Sequence, residues 1–153
     1  LLAYLGFGYR SWMQEELRGK LALCTAASAE FLTQRHPGAI TLIAETTNTN
    51  VDKVKGAIFA KLASLRSEGV DEGSLAVAKR SLLGQYAFEN ETNGGIANSY
   101  GFYFAVSDPE FAAKYVSCVQ AVTNADTIRV ARKYLDPSRA VVLVVGPDQR
   151  GTE

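Results

Sequence analysis

Few side chains in this chain of 153 residues could do chemistry unaided. Its single histidine, His36, falls in the turn cluster Gln34-Arg35-His36-Pro37-Gly38. A helical zinc site needs two histidines four residues apart, with an adjoining glutamate as general base. One histidine cannot build it, and His36 reads as a solvated turn residue. Glu89 and Glu91 are close in sequence, but residues two apart on a helix point in different directions, so they make no acid/base pair. Cys24 and Cys118 give no disulfide framework and read as free, buried thiols. Asn93-Gly94-Gly95 could offer backbone N–H groups to a ligand at a helix start; a helix hinge is the more common use. No serine has a histidine partner for nucleophilic catalysis, and no P-loop or dinucleotide fingerprint occurs.

The elements that must carry these residues can be read from spacing. Leu1–Leu5 is an apolar helix end, broken by Gly6-Phe7-Gly8. Trp12–Lys20 reads as a short helix with Trp12, Met13, Glu16 and Leu17 on one side. Leu21–Leu32 and Ala39–Thr47 alternate as strands and, joined by the Pro-Gly turn, predict an antiparallel hairpin. Small residues on both faces of the first strand suggest that one side is covered and the other faces a cleft. Thr46–Asn50 is a capping run before a helix whose stripe is Val51, Val54, Ile58, Leu62 and Leu65, ending at Gly69. Glu72 to Phe104 reads as two helices separated by the polar run Glu89–Gly95. Asp71 caps the first; the second starts near Ile96 and carries Tyr100, Phe102, Tyr103 and Phe104, which should sit deep or line a cavity. Gly101 reads as a close-packing position. Asp108-Pro109-Glu110 starts another helix, and Thr123–Asp126 resembles a capping box opening the last one. Arg139–Val145 reads as a buried strand. The order predicts an α+β fold, with helices on one face of an antiparallel or mixed sheet.

Length alone fits one domain or a piece of a larger protein. The 16 basic and 16 acidic residues balance, which argues against nucleic acid or an anionic membrane as partner. No apolar run reaches the length of a membrane span.

The ordered strings A-K-R-x-L-L-G-x-Y-A (from Ala78), E-x-x-T-N-x-G-I-A-N (from Glu89), G-F-Y (from Gly101) and D-P-x-F (from Asp108) carry a resemblance. The chain resembles the C-terminal, zinc-free half-domain of the M16 zinc metallopeptidases, a family that includes pitrilysin, insulin-degrading enzyme and mitochondrial processing peptidase. The resemblance covers residues 1–147, leaving 148–153 as a polar tail, and implies that a strand and part of a helix precede Leu1. It implies a two-layer α/β sandwich of the LuxS/MPP-like metallohydrolase type, forming one wall of a peptide-binding chamber. No metal is implied in this chain; zinc would sit in an N-terminal half-domain or in a partner M16 subunit, giving a dimer that acts on peptides. The bacterial cytoplasm or periplasm is the expected compartment. In such enzymes the C-terminal half supplies an Arg and a Tyr seven residues apart, which stabilise charge on the substrate carbonyl. The family string is similar to L-R-x-K-x-G-L-A-Y-S, and here it falls on Leu17–Ala26. Arg18 matches, either as a substrate contact or as a solvated helix-end arginine. Thr25 stands at the tyrosine position, where it reads better as an ordinary strand residue, and Ala22 at the glycine position. The alternative expectation is a catalytically inactive M16-like assembly subunit.

Overall fold

The computed structural model describes residues 1–108 and 110–146. Pro109, Pro147 and the tail 148–153, all assigned roles above, lie outside the described residues.

A helical turn α1 (Leu2–Gly6) is followed by a π-helix, Met13–Lys20, and a hairpin of β1 (Ala26–Phe31) and β2 (Ile40–Glu45). Then come α2 (Val51–Ser67), α3 (Glu72–Glu89), α4 (Asn93–Val106), α5 (Glu110–Ala121) and α6 (Asn124–Tyr134). This is an α+β fold with the helices on one face of the hairpin. The strands pair antiparallel with Ala27 opposite Ala44 and Ala29 opposite Leu42. Side chains alternate across a strand. Ala27, Ala29, Ile40, Leu42 and Ala44 therefore face the helical layer and join its core, while Thr41, Ile43 and Glu45 lie exposed on the other side. The contact is close: a Cβ on Gly6 would overlap the backbone of Ala29, so glycine is what lets α1 lie against β1.

The core is built from Leu5, Met13, Leu17, Leu62, Leu65 and Val70, with Ala131 of α6 and Leu135 just after it. Fully burying each large aliphatic side chain contributes about 1.5–3 kcal/mol. The α2 stripe holds, with Val54, Leu62 and Leu65 buried. At its end Gly69 takes φ +76°, and Asn124 of α6 closes the turn by accepting from Val70 N–H at 2.8 Å and donating to Glu68 O at 2.9 Å. The Thr123–Asp126 capping box forms, and Asp71 caps α3 through Ser74 N–H.

Several expectations need correction. The first strand begins only at Ala26, because Ala22 adopts φ +49° and turns the chain out of an extended path. No side chain of Thr46–Asn50 caps α2; a 3-10 turn, Asn48–Asn50, leads into it instead. The second helix starts at Asn93, capped by Thr92, and has no buried residue. Of its aromatics only Tyr103 packs inward, against Phe111 and Tyr115 of α5; Tyr100, Phe102 and Phe104 are 44%, 41% and 70% exposed. One inward position per turn suffices to hold α4, so its other rings stay in solvent. Gly101 meets nothing within 4 Å and is not a packing glycine, whereas Gly95 sits where a Cβ would overlap the Glu89 carbonyl, so the close approach of α4 to the end of α3 requires glycine there. Cys118 is exposed, and only Cys24 is buried. The apolar run Arg139–Val145 is not a buried strand: it has no ladder partner among the described residues, and Val141 is 95% exposed.

Candidate functional site

The site expected at Leu17–Ala26 lies where the π-helix hands the chain to β1. A π-helix widens the turn to i→i+5 bonding and is frequent at functional sites. Here Leu21 N–H reaches Glu16 O at 2.8 Å and Leu23 N–H reaches Leu17 O at 2.9 Å. That winding buries Met13 and Leu17 together while leaving Gln14 and Arg18, four apart, on one outer edge. Arg18 Nη1 donates to Gln14 Oε1 at 3.1 Å, and Gln14 Nε2 donates to the Ala27 carbonyl at 2.7 Å. The guanidinium is thereby tied to β1 through a neutral amide. Gln14 is the residue that sequence reasoning missed. Its only signal was a polar position four before Arg18.

Thr25 is placed differently. Its N–H and hydroxyl both go to the Glu45 carbonyl, at 2.8 and 3.3 Å. The hydroxyl thus lies against β2, and Arg18 and Thr25 share no hydrogen bond among the described residues. Between them, Cys24 is buried; its thiol is pushed up by that burial, with the Arg18 charge pulling the other way. Ala22, at the family's glycine position, is the one non-glycine residue with positive φ among the described residues.

A cleft of about 570 Å³ opens on the helical side, lined by Tyr4, Arg10, Trp12, Glu15, Lys20 and Lys61 among others. Neither Arg18 nor Thr25 lines it. Its charges are already engaged: Arg10 with Glu15 at 3.6 Å, Lys20 with Glu16 at 2.9 Å, and Lys61 over the rings of Tyr4 and Trp12. It offers no free group for catalysis. Among the described residues no group of His, Cys, Asp and Glu could hold a metal ion. His36 is exposed in its turn.

A helical layer on one face of an antiparallel hairpin, with an arginine held at the strand entry, defines an α+β class of domain that offers no metal-ligand group among the described residues. The family described as the peptidase M16 inactive domain matches residues 1–82, more than half of the chain, and the chain belongs to that family. No curated protein sequence matches it. Solved structures share the fold. A protease from Helicobacter pylori is similar over 90% of this chain and 34% of its own, with 23% identity and a TM-score of 0.79. A peptidase M16 inactive domain from Pseudomonas fluorescens is similar over 88% and 32%, with 19% identity and a TM-score of 0.76. A candidate zinc protease from Bordetella pertussis is similar over 90% and 76%, with 20% identity and a TM-score of 0.74. The chain therefore spans about a third of the first two structures.

Proposed function

We propose that this chain is the zinc-free half of an M16-type zinc endopeptidase and forms one wall of the chamber that holds an unfolded peptide. Residues 1–147 make up that half-domain, and the open face of the β1–β2 hairpin lines the chamber. The observation that carries the reading is the tether of Arg18 to β1 through Gln14, which fixes a cation beside the strand entry. Zinc and the general base come from an N-terminal half-domain or a partner M16 subunit. Arg18 contacts the peptide carbonyl and opposes the negative charge that develops when water attacks it. Thr25 adds little, since a threonine hydroxyl is several ångströms shorter in reach than a tyrosine and is turned to Glu45. That same engagement favours a second reading, in which the chain is a catalytically inactive assembly subunit of M16 type.

The test is zinc content and cleavage of a quenched fluorescent peptide by the full-length protein, alone and with a zinc-bearing M16 subunit added. Under the first reading Arg18→Ala lowers kcat about 100-fold, the scale of losing one oxyanion-stabilising donor. Arg18→Lys recovers part of that, because it keeps the charge but not the fork. Absence of cleavage in every combination removes the peptidase reading and leaves the assembly subunit.

A further inference from the structure

The cleft of about 570 Å³ on the helical side holds one cation whose charge nothing cancels. Its volume falls within the range of small-ligand sites, about 300–1,000 Å³. Tyr4 of α1 and Trp12, just before the π-helix, pack against the core, so their rings form a fixed floor. Ala57, Lys61 and Ser64 lie at helical spacing on α2 and form the facing wall, with Ala60 beside them. Lys61 is half-buried there. Its ammonium stands 5.0 Å from the centre of the Tyr4 ring and 5.7 Å from that of Trp12. A ring face attracts a cation without cancelling its charge. Among the described residues Lys61 has neither an ion-pair partner nor a hydrogen-bond acceptor. The other groups are taken: Arg10 pairs with Glu15, Lys20 with Glu16, and the Ser64 hydroxyl donates to Glu68. An ammonium held between two rings with its three N–H donors open is a ready partner for an anion.

We propose that this cleft binds a monocarboxylate with an apolar body. The carboxylate accepts from the Lys61 ammonium, and the body lies against Tyr4, Trp12, Ala57 and Ala60. One uncancelled cation answers one negative charge. Glu15 and Glu16 line the same cleft and oppose the second charge of a phosphate. The apolar walls add affinity that a bare anion such as acetate cannot use. Neither Arg18 nor the hairpin contributes to this site, so it stands apart from the chamber wall and does not depend on the peptidase reading.

The test is titration calorimetry of the full-length protein with N-acetyl-phenylalanine, its amide, acetyl-Ala-Ala-Phe, acetate and inorganic phosphate. N-acetyl-phenylalanine should bind with a Kd of about 1 mM, the scale for a ligand of about 15 non-hydrogen atoms. Its amide, which differs only in the missing charge, should bind about 10-fold or more weakly. Lys61→Met keeps the stem and removes the charge, and it should weaken N-acetyl-phenylalanine by a similar factor. Lys61→Arg keeps a cation over the rings and should retain binding; with the amide it keeps the test decisive even if Lys61→Met does not fold. Tighter binding of acetyl-Ala-Ala-Phe assigns the carboxylate to a peptide end, and equal binding assigns it to a free acid; both support the site. No binding of N-acetyl-phenylalanine at about 10 mM, equal binding of acid and amide, or a folded Lys61→Met that binds like wild type overturns the proposal. Acetate or phosphate binding as tightly as N-acetyl-phenylalanine reduces the site to loose anion attraction and overturns it too.

Discussion

Replacing Gly69 with alanine should weaken the protein at the joint between α2 and α6. Two costs add. The residue sits at φ +76°, where an L side chain costs about 1–2 kcal/mol. Its Cβ would also overlap Asn124 Oδ1 and approach Ile128 Cγ1 and Thr127 Oγ1 at 2.8 Å each. Asn124 must move, and with it goes the acceptor for Val70 N–H. Val70 is 1% exposed, and its N–H would retain only the 3.2 Å contact with Thr127 Oγ1. A buried donor left poorly satisfied costs about 1–3 kcal/mol. Gly69→Ala should therefore destabilise by about 2–5 kcal/mol and lower the melting temperature by about 5–15 °C for a domain of this size. Urea unfolding of wild type, Gly69→Ala, Asn124→Ala and the double variant measures it. Asn124→Ala keeps the glycine and loses only the hydrogen bonds. In the double variant the overlap with Asn124 is gone and its hydrogen bonds are lost only once, so the two effects must fall short of additivity by about 1 kcal/mol or more. A Gly69→Ala protein within about 0.5 kcal/mol of wild type, or strictly additive effects, would refute the reasoning.

Ala22→Gly should stabilise by about 0.5–1 kcal/mol, because Ala22 holds φ +49°, which glycine adopts without strain; thermal unfolding reads it. Asp126 accepts from Thr123 N–H and O–H and pairs with Arg129, and these hold its carboxyl at about 2, from an ordinary 3.8. A carboxyl depressed on folding contributes stability that is complete above the unfolded value and lost as pH falls through about 2. Asp126→Asn should therefore flatten the stability profile between pH 4 and pH 2, measured by urea midpoints at each pH. Gln14→Ala should cost about 1 kcal/mol of stability through its lost bond to Ala27, and it should lower kcat in the assembled peptidase without changing zinc content.

Much of the fold was legible because it is local. The α2 stripe, the Asp71 cap and the Thr123–Asp126 box each depend on residues a few positions apart and formed as the spacing predicts, and the hairpin formed across its short turn with a later start than expected. Failures came where a distant partner decides the outcome. Valine and leucine at 141–145 show that a segment prefers to be a strand, but not that a neighbour is there to pair with it. The rings of α4 show apolar content, but only Tyr103 meets α5. The site was legible in part. Arg18 and Thr25 follow from the order of residues in a string, whereas the Gln14 bridge depends on a π turn and on the carbonyl of Ala27, thirteen positions on.

What distinguishes Arg18 from its neighbours is the chemistry of its partner. Arg10 and Lys20 flank the same helix and are paired with the carboxylates of Glu15 and Glu16, so much of their field is cancelled. Arg18 is held by an amide, which orients the guanidinium without neutralising it. A cation placed to answer negative charge arising on a substrate needs that combination, a fixed position and an uncancelled charge. A merely solvated helix-end arginine needs neither. Gln14→Glu tests the distinction beside Gln14→Ala, because a carboxylate still accepts from Arg18 and cancels its charge but, like alanine, cannot donate to the Ala27 carbonyl. If Arg18 serves catalysis, Gln14→Glu should lower kcat below that of Gln14→Ala, which loses the same bond to Ala27, with KM little affected. If it is ornamental, the same change should strengthen the local ion pair and leave turnover untouched.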